Sequence, residues 1–254
     1  MNHQKFSEEQ LPASLRSPVL SAMKSLQTPP SKKSVWIGPF DQLASAAYAL
    51  LEADKLNVAK RIANSDDYYK RVFCHVTSLV SEYADSRHCT DSPALNTYLS
   101  VIYFNAGYQR VTFAAERLVT TFAAIRCTCN LPPDVTKKNG KWYFNQSKKA
   151  AKNRLEHPHF STQIPAFKQL LQQFDNWDGS TFKSDKALAI LREQVNPKKH
   201  SVYDRSDVEK SRPRMPCGSP WTVDDQISLV AGAFQLVCKA YNELLQWNPA
   251  GALS

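Results

Sequence analysis

His200 follows Arg192 by eight residues and Asn196 by four in LREQVNPKKHSVYDR (residues 191–205), with Lys198 and Lys199 immediately before it. A strongly basic setting favours the neutral imidazole near pH 7. A neutral histidine can take the proton of a ribose 2′-hydroxyl while nearby cations stabilise charge growing on the phosphate. His200 with Arg192, together with Arg110 or Arg117, is therefore the candidate reaction centre. The alternative is a histidine in a basic loop between two helices, with no chemistry to perform.

Trp142 and Phe144 flank Tyr143 next to Lys141, with Lys148, Lys149, Lys152 and Arg154 close behind. Asn139-Gly140 suits a type I′ turn, so residues 135–144 are predicted to form a small β-hairpin. Alternate strand residues share a face, which would pair Trp142 with Phe144. Such a pair rimmed by lysines can stack unpaired bases, or it can dock the hairpin on the protein body. Lys148, Lys149, Lys152, Lys198, Lys199 and Arg205 are the candidate phosphate contacts. On a 100° wheel Arg110 and Arg117 fall in one apolar stripe with Ala106 and Phe113, which predicts an inward-facing basic pair. Inward arginines need an internal carboxylate such as Glu116, or a bound anion.

Other chemistries lack their residues. The chain has no Gly-rich phosphate loop, no nucleophile elbow and no His-Glu-x-x-His helix. Cys127, Cys129, His157 and His159 could supply four metal ligands, but their one-residue spacings are not those of zinc knuckles, and no metal or cofactor is assigned. The six cysteines are scattered and read as reduced thiols. With no apolar leader segment and no membrane-length apolar run, a cytoplasmic protein is expected.

The elements that must position these residues are helical. Residues 1–34 read as a flexible N-terminal arm, poorly ordered or laid across the body, with one short helix near Pro18–Leu26, and residues 35–254 as a single domain. Helices are predicted from Asp41 to Asn64, from Asp66 to Ser86, from Pro93 to about Cys129, and from Gln146 to Leu155. Two more follow from Pro165 and from Ser184, the latter ending or kinking near Asn196 because Pro197 cannot continue the hydrogen-bond ladder. The last, starting at Thr222, carries Ile227, Val230, Phe234, Val237, Tyr241 and Leu244 at helical spacing. Besides the arm and the short basic helix, about five to six helices with a small hairpin insertion make an all-α bundle.

Charge is concentrated. Residues 137–214 hold 17 Lys and Arg against eight Asp and Glu, whereas the rest of the chain holds 15 of each. The net charge of +9 thus belongs to one basic segment, which points to a polyanion, RNA or single-stranded nucleic acid in particular. An acidic protein partner would answer the same charge, making the chain a non-enzymatic interaction or regulatory subunit. A small anionic ligand held by Arg110 and Arg117 is a third reading.

A helical bundle with a late polar, His-bearing motif resembles the HEPN superfamily, many of whose members are metal-independent endoribonucleases of defence, toxin–antitoxin and RNA-processing systems. The resemblance rests on VNPKKH, where Asn196 and His200 match the family motif, Val195 stands in place of its arginine, and Arg192 lies one turn earlier. It implies a homodimer with facing motifs, and the replaced arginine implies a weakened or non-catalytic member.

Overall fold

The computed structural model describes residues 14–32, 34–56, 93–125, 144–156, 163–175, 184–200 and 223–248. These form seven α-helices: α1 (Arg16–Ser25), α2 (Ile37–Lys55), α3 (Pro93–Ala124), α4 (Phe144–Leu155), α5 (Pro165–Gln173), α6 (Ala187–His200) and α7 (Val223–Trp247). One turn of 3-10 helix, Ser184–Lys186, leads into α6. The all-α reading holds for these residues. The predicted helix at 66–86 and the hairpin at 135–143 lie outside them. Phe144, expected to close a strand, instead opens α4.

Helix α3 is apolar around most of its circumference and is covered accordingly, by α2 most extensively and also by α4, α6 and α7. Close approach of α2 requires Gly107, where a Cβ would stand 2.5 Å from Leu50 Cδ2. Helix α7 crosses the other elements, touching α1, α2, α3, α5 and α6, and every member of its predicted stripe is buried. Phe122 links the layers: its ring lies 4.7 Å from Phe167 of α5 and 5.5 Å from Trp247 of α7.

Where it is described, the N-terminal stretch lies across the body. Leu15 and Val19 are fully buried in the common core. Asp54 of α2 accepts the Leu15 N–H at 2.8 Å, while Asn242 of α7 accepts from Gln27 and donates to the Ser25 carbonyl. Helix α1 is thus held at both ends by residues distant in sequence.

Two helix boundaries differ from expectation. Helix α2 starts at Ile37, four residues before the Asp41 cap that its composition suggested, and ends at Lys55. Its start is fixed by fully buried Trp36, whose indole donates to the Asn248 carbonyl at 2.8 Å. Pro39 fits in the first turn because helix donors there have no intrahelical acceptor. Helix α6 runs through Pro197 to His200 instead of ending near Asn196. Proline removes one backbone bond, the one to the carbonyl four residues back, and that residue, Glu193, is exposed to water that can replace it.

Candidate nucleic-acid interface

Helix α4 has small residues on one side and cations on its flanks. Ser147, Ala150, Ala151, Arg154 and Leu155 are buried, which leaves the lysines at the edges of the buried face. Those edges meet the ends of two other helices, whose last carbonyls lack intrahelical donors. Arg154, 8% exposed, donates through Nη1 to the Phe122 carbonyl at 2.7 Å and to that of Ile125, at the end of α3. Lys148 Nζ donates to the Phe174 carbonyl at 2.9 Å, and Lys152 pairs with Asp175, both just past the end of α5. Lys186 reaches the Gln172 carbonyl of the same turn at 3.4 Å. Two of the three α4 lysines expected on phosphates therefore bind protein. Lys149 remains exposed.

Arg192 of α6 lies between α3 and α4. Its Nε donates to Glu116 Oε1 at 2.8 Å, with the two side chains 28% and 18% exposed. Its guanidinium also lies 4.4 Å above the centre of the Phe144 ring. Phe144 in turn meets Phe174 edge-on at 4.8 Å. This corrects the picture of Phe144 as an exposed stacking platform: one face already carries a cation. Arg192 raises the positive potential at Lys148. Burial first, and then Lys152, Arg192 and Lys186, hold the Lys148 ammonium below the ordinary lysine pKa against the opposing pull of Asp175.

Arg110 and Arg117 do not face inward. Both are exposed, on the side of α3 where Tyr103, Ala106, Phe113 and Thr120 are only half-buried. The wheel misled because α3 is apolar nearly all round, so it defines no unique inward direction, and α2 chose the line through Gly107 and Val111. Arg110 Nη1 donates to Gln42 at 3.0 Å. The Arg117 guanidinium rests against Gly38, where a Cβ would come within 2.7 Å of Nη1 and push it aside. Glu116, the acid expected for this pair, is taken by Arg192.

Beside these arginines an open cleft of about 530 Å³ lies between α2, α3 and the start of α4. Its walls include Gly38, Gln42, Phe113, Arg117, Thr120 and Phe144. Along α3, Arg110, Phe113 and Arg117 succeed one another at steps of three and four, so cation, ring and cation share one line of the helix. Nothing in the separate residue types announced this row; its signal was the spacing, read with the wrong side outward.

The remaining candidates are placed less fully. Positions 192, 196 and 200 follow one another at one-turn intervals along α6, but the side chains of Asn196, Lys198, Lys199 and His200 lie outside the description, as do Trp142 and Arg205 altogether. Cys127, Cys129, His157 and His159 also lie outside it, and the described residues contain no cluster of His, Cys, Asp or Glu suited to a metal. No described helix is long and apolar enough to cross a membrane. No family model matches the chain, and neither a curated protein nor a solved structure does so significantly.

Proposed function

We propose that this protein binds RNA or another single-stranded nucleic acid along the outward face of α3, with Arg110 and Arg117 on phosphates and Phe113 offering a ring to a base at the cleft. The observation that carries the reading is the row of exposed Arg110 and Arg117 with half-buried Phe113 between them, beside the open cleft, in a chain whose net charge is +9. Alternating cations and aromatic surface is what a single strand needs, since phosphates want charge and every base has a face to stack. The two arginines are seven residues apart, roughly 10 Å along the helix, so they address different phosphates.

The test is fluorescence anisotropy with a labelled single-stranded RNA over a salt series. Wild-type protein should lose affinity steeply as salt rises. Arg110→Gln with Arg117→Gln should flatten the log–log slope by about 1.4, the contribution of two phosphate contacts on a single strand. Binding with a shallow slope, or binding indifferent to both substitutions, would instead favour the acidic-protein partner.

One observation favours ribonuclease activity as a second reading: α6 is continuous through Pro197, which aligns positions 192, 196 and 200. Arg192 is engaged by Glu116 and Phe144, so a role at the reacting phosphate would require it to leave that pair. RNA cleavage that persists in EDTA and disappears in His200→Ala supports this reading; intact RNA with both proteins rejects it.

A further inference from the structure

Four cations gather about the end of α5 and the Phe144 ring packed on it: Lys148 and Lys152 from α4, Lys186 from the 3-10 turn, and Arg192 from α6. Two of them have carboxylate partners, Lys152 in Asp175 and Arg192 in Glu116. Among the described residues, Lys148 and Lys186 meet the Phe174 and Gln172 carbonyls of the α5 terminus, one bond each. An ammonium carries three donors, so both retain hydrogen-bonding capacity, and both are partly exposed. Among the described residues these two carboxylates face four cations, which leaves two positive charges in one partly buried patch. Phe144 lines the cleft with one part of its ring and supports Arg192 with another, so patch and cleft are neighbours.

We infer that Lys148 and Lys186, flanked by Lys152 and Arg192, form a subsite for a terminal phosphate monoester of the bound strand. The inference rests on the nucleic-acid reading of the cleft and names which strands it prefers. An internal phosphodiester carries one negative charge, whereas a terminal monoester carries nearly two at pH 7 and offers three acceptor oxygens. The local surplus of two cations matches the monoester.

The experiment compares one RNA sequence bearing a 5′-phosphate, a 3′-phosphate or hydroxyls at both ends, by competition anisotropy at fixed salt. One phosphorylated form should bind about tenfold more tightly than the hydroxyl form, the worth of two partly exposed charge pairs. That preference should fall to about unity in Lys186→Gln and in Lys148→Gln. Lys168→Gln, which removes the same charge from the exposed side of α5, should keep it. Lys186→Gln guards against misfolding, because its own bond to α5 is long; its thermal midpoint should match the wild type. Equal affinities for all three strands, or a preference that survives Lys186→Gln, overturn the subsite. If no RNA binds, the nucleic-acid reading fails separately. Inorganic phosphate then decides: a rise in thermal midpoint that Lys186→Gln abolishes supports the subsite, and no rise overturns it.

Discussion

Replacing Arg154 by leucine should destabilise the fold while leaving nucleic-acid binding to the folded protein intact. Arg154 sits within the basic helix α4, where composition alone would enrol it as a phosphate contact. Instead its guanidinium is buried on the Phe122 and Ile125 carbonyls, at the end of the longest helix. Hydrogen bonds from a charged donor contribute roughly 1.5–3 kcal/mol each, and the carbonyls left behind have no helical donor. Burying leucine regains roughly 1 kcal/mol of apolar transfer. The net loss is about 2–5 kcal/mol. With a urea slope of about 2–3 kcal/mol/M, the unfolding midpoint should move down by about 1–2 M. Urea titration followed by far-UV circular dichroism measures this, with Lys149→Leu as the exposed neighbour on the same helix. Arg154→Lys should recover part of the loss, since one ammonium can still reach one carbonyl. A loss below about 1 kcal/mol, or one equal to that of Lys149→Leu, would refute the claim that α4 braces α3 through this side chain.

The same structural logic sets three further outcomes. Glu243→Ala should cost about 1–2 kcal/mol, because its carboxylate accepts the Ala166 and Phe167 N–H groups at 2.7 and 3.1 Å and so caps α5 from α7; differential scanning calorimetry should show a midpoint lower by several degrees. Gly107→Ala and Gly232→Ala should have opposite signs in denaturant titrations. The first drives a Cβ into buried Leu50 and costs about 1–3 kcal/mol, whereas the second meets nothing within 4 Å and gains up to about 1 kcal/mol of helix propensity. Finally, stability should fall as pH rises above about 9. Burial pushes the Cys238 thiol up to about 12 and also raises Tyr241, with Asp41 adding to the latter. Between the ordinary thiol value and about 12 the fold therefore keeps a proton that the unfolded chain releases, which lowers stability with pH. Mass spectrometry after iodoacetamide at pH 8 should find Cys238 unmodified until urea is added.

Some of this architecture was legible because its cause is local. The α7 stripe needs only helical periodicity, and all six of its residues are buried. The basic helix was found within two residues of its observed start for the same reason. What escaped has non-local causes. The ends of α1, α3 and α5 are satisfied by Asp54, Asn242, Arg154 and Glu243, side chains 29 to 217 residues away, so no capping motif appears beside them. Trp36 starts α2 by being buried, a role that a polar N-cap search passes over. Pro197 reads as a stop or a kink because a missing N–H ends many helices, but a single lost bond at an exposed turn is small beside the packing that precedes it in α6. The row on α3 was visible as a row; only its direction needed the neighbour.

The fate of the cations changes what the net charge means. Residues 137–214 supply the whole surplus, yet five described cations of that segment serve the protein first, Arg154 on α3, Lys148, Lys152 and Lys186 on α5, and Arg192 on Glu116, while Lys149 and Lys168 are exposed. Helix C-termini carry partial negative charge, so a lysine-rich helix packed across two of them stabilises the bundle without any ligand. The arginines best placed for a polyanion come from α3, outside the segment that looked most basic. A cation held by a carboxylate contributes little to counterion release, because its charge is already compensated before nucleic acid arrives. The salt slope of binding should therefore track Arg110 and Arg117 far more than Lys152 or Arg192. Lysine-to-glutamine exchange at Lys152 should lower stability and leave that slope unchanged, whereas the α3 pair should do the reverse.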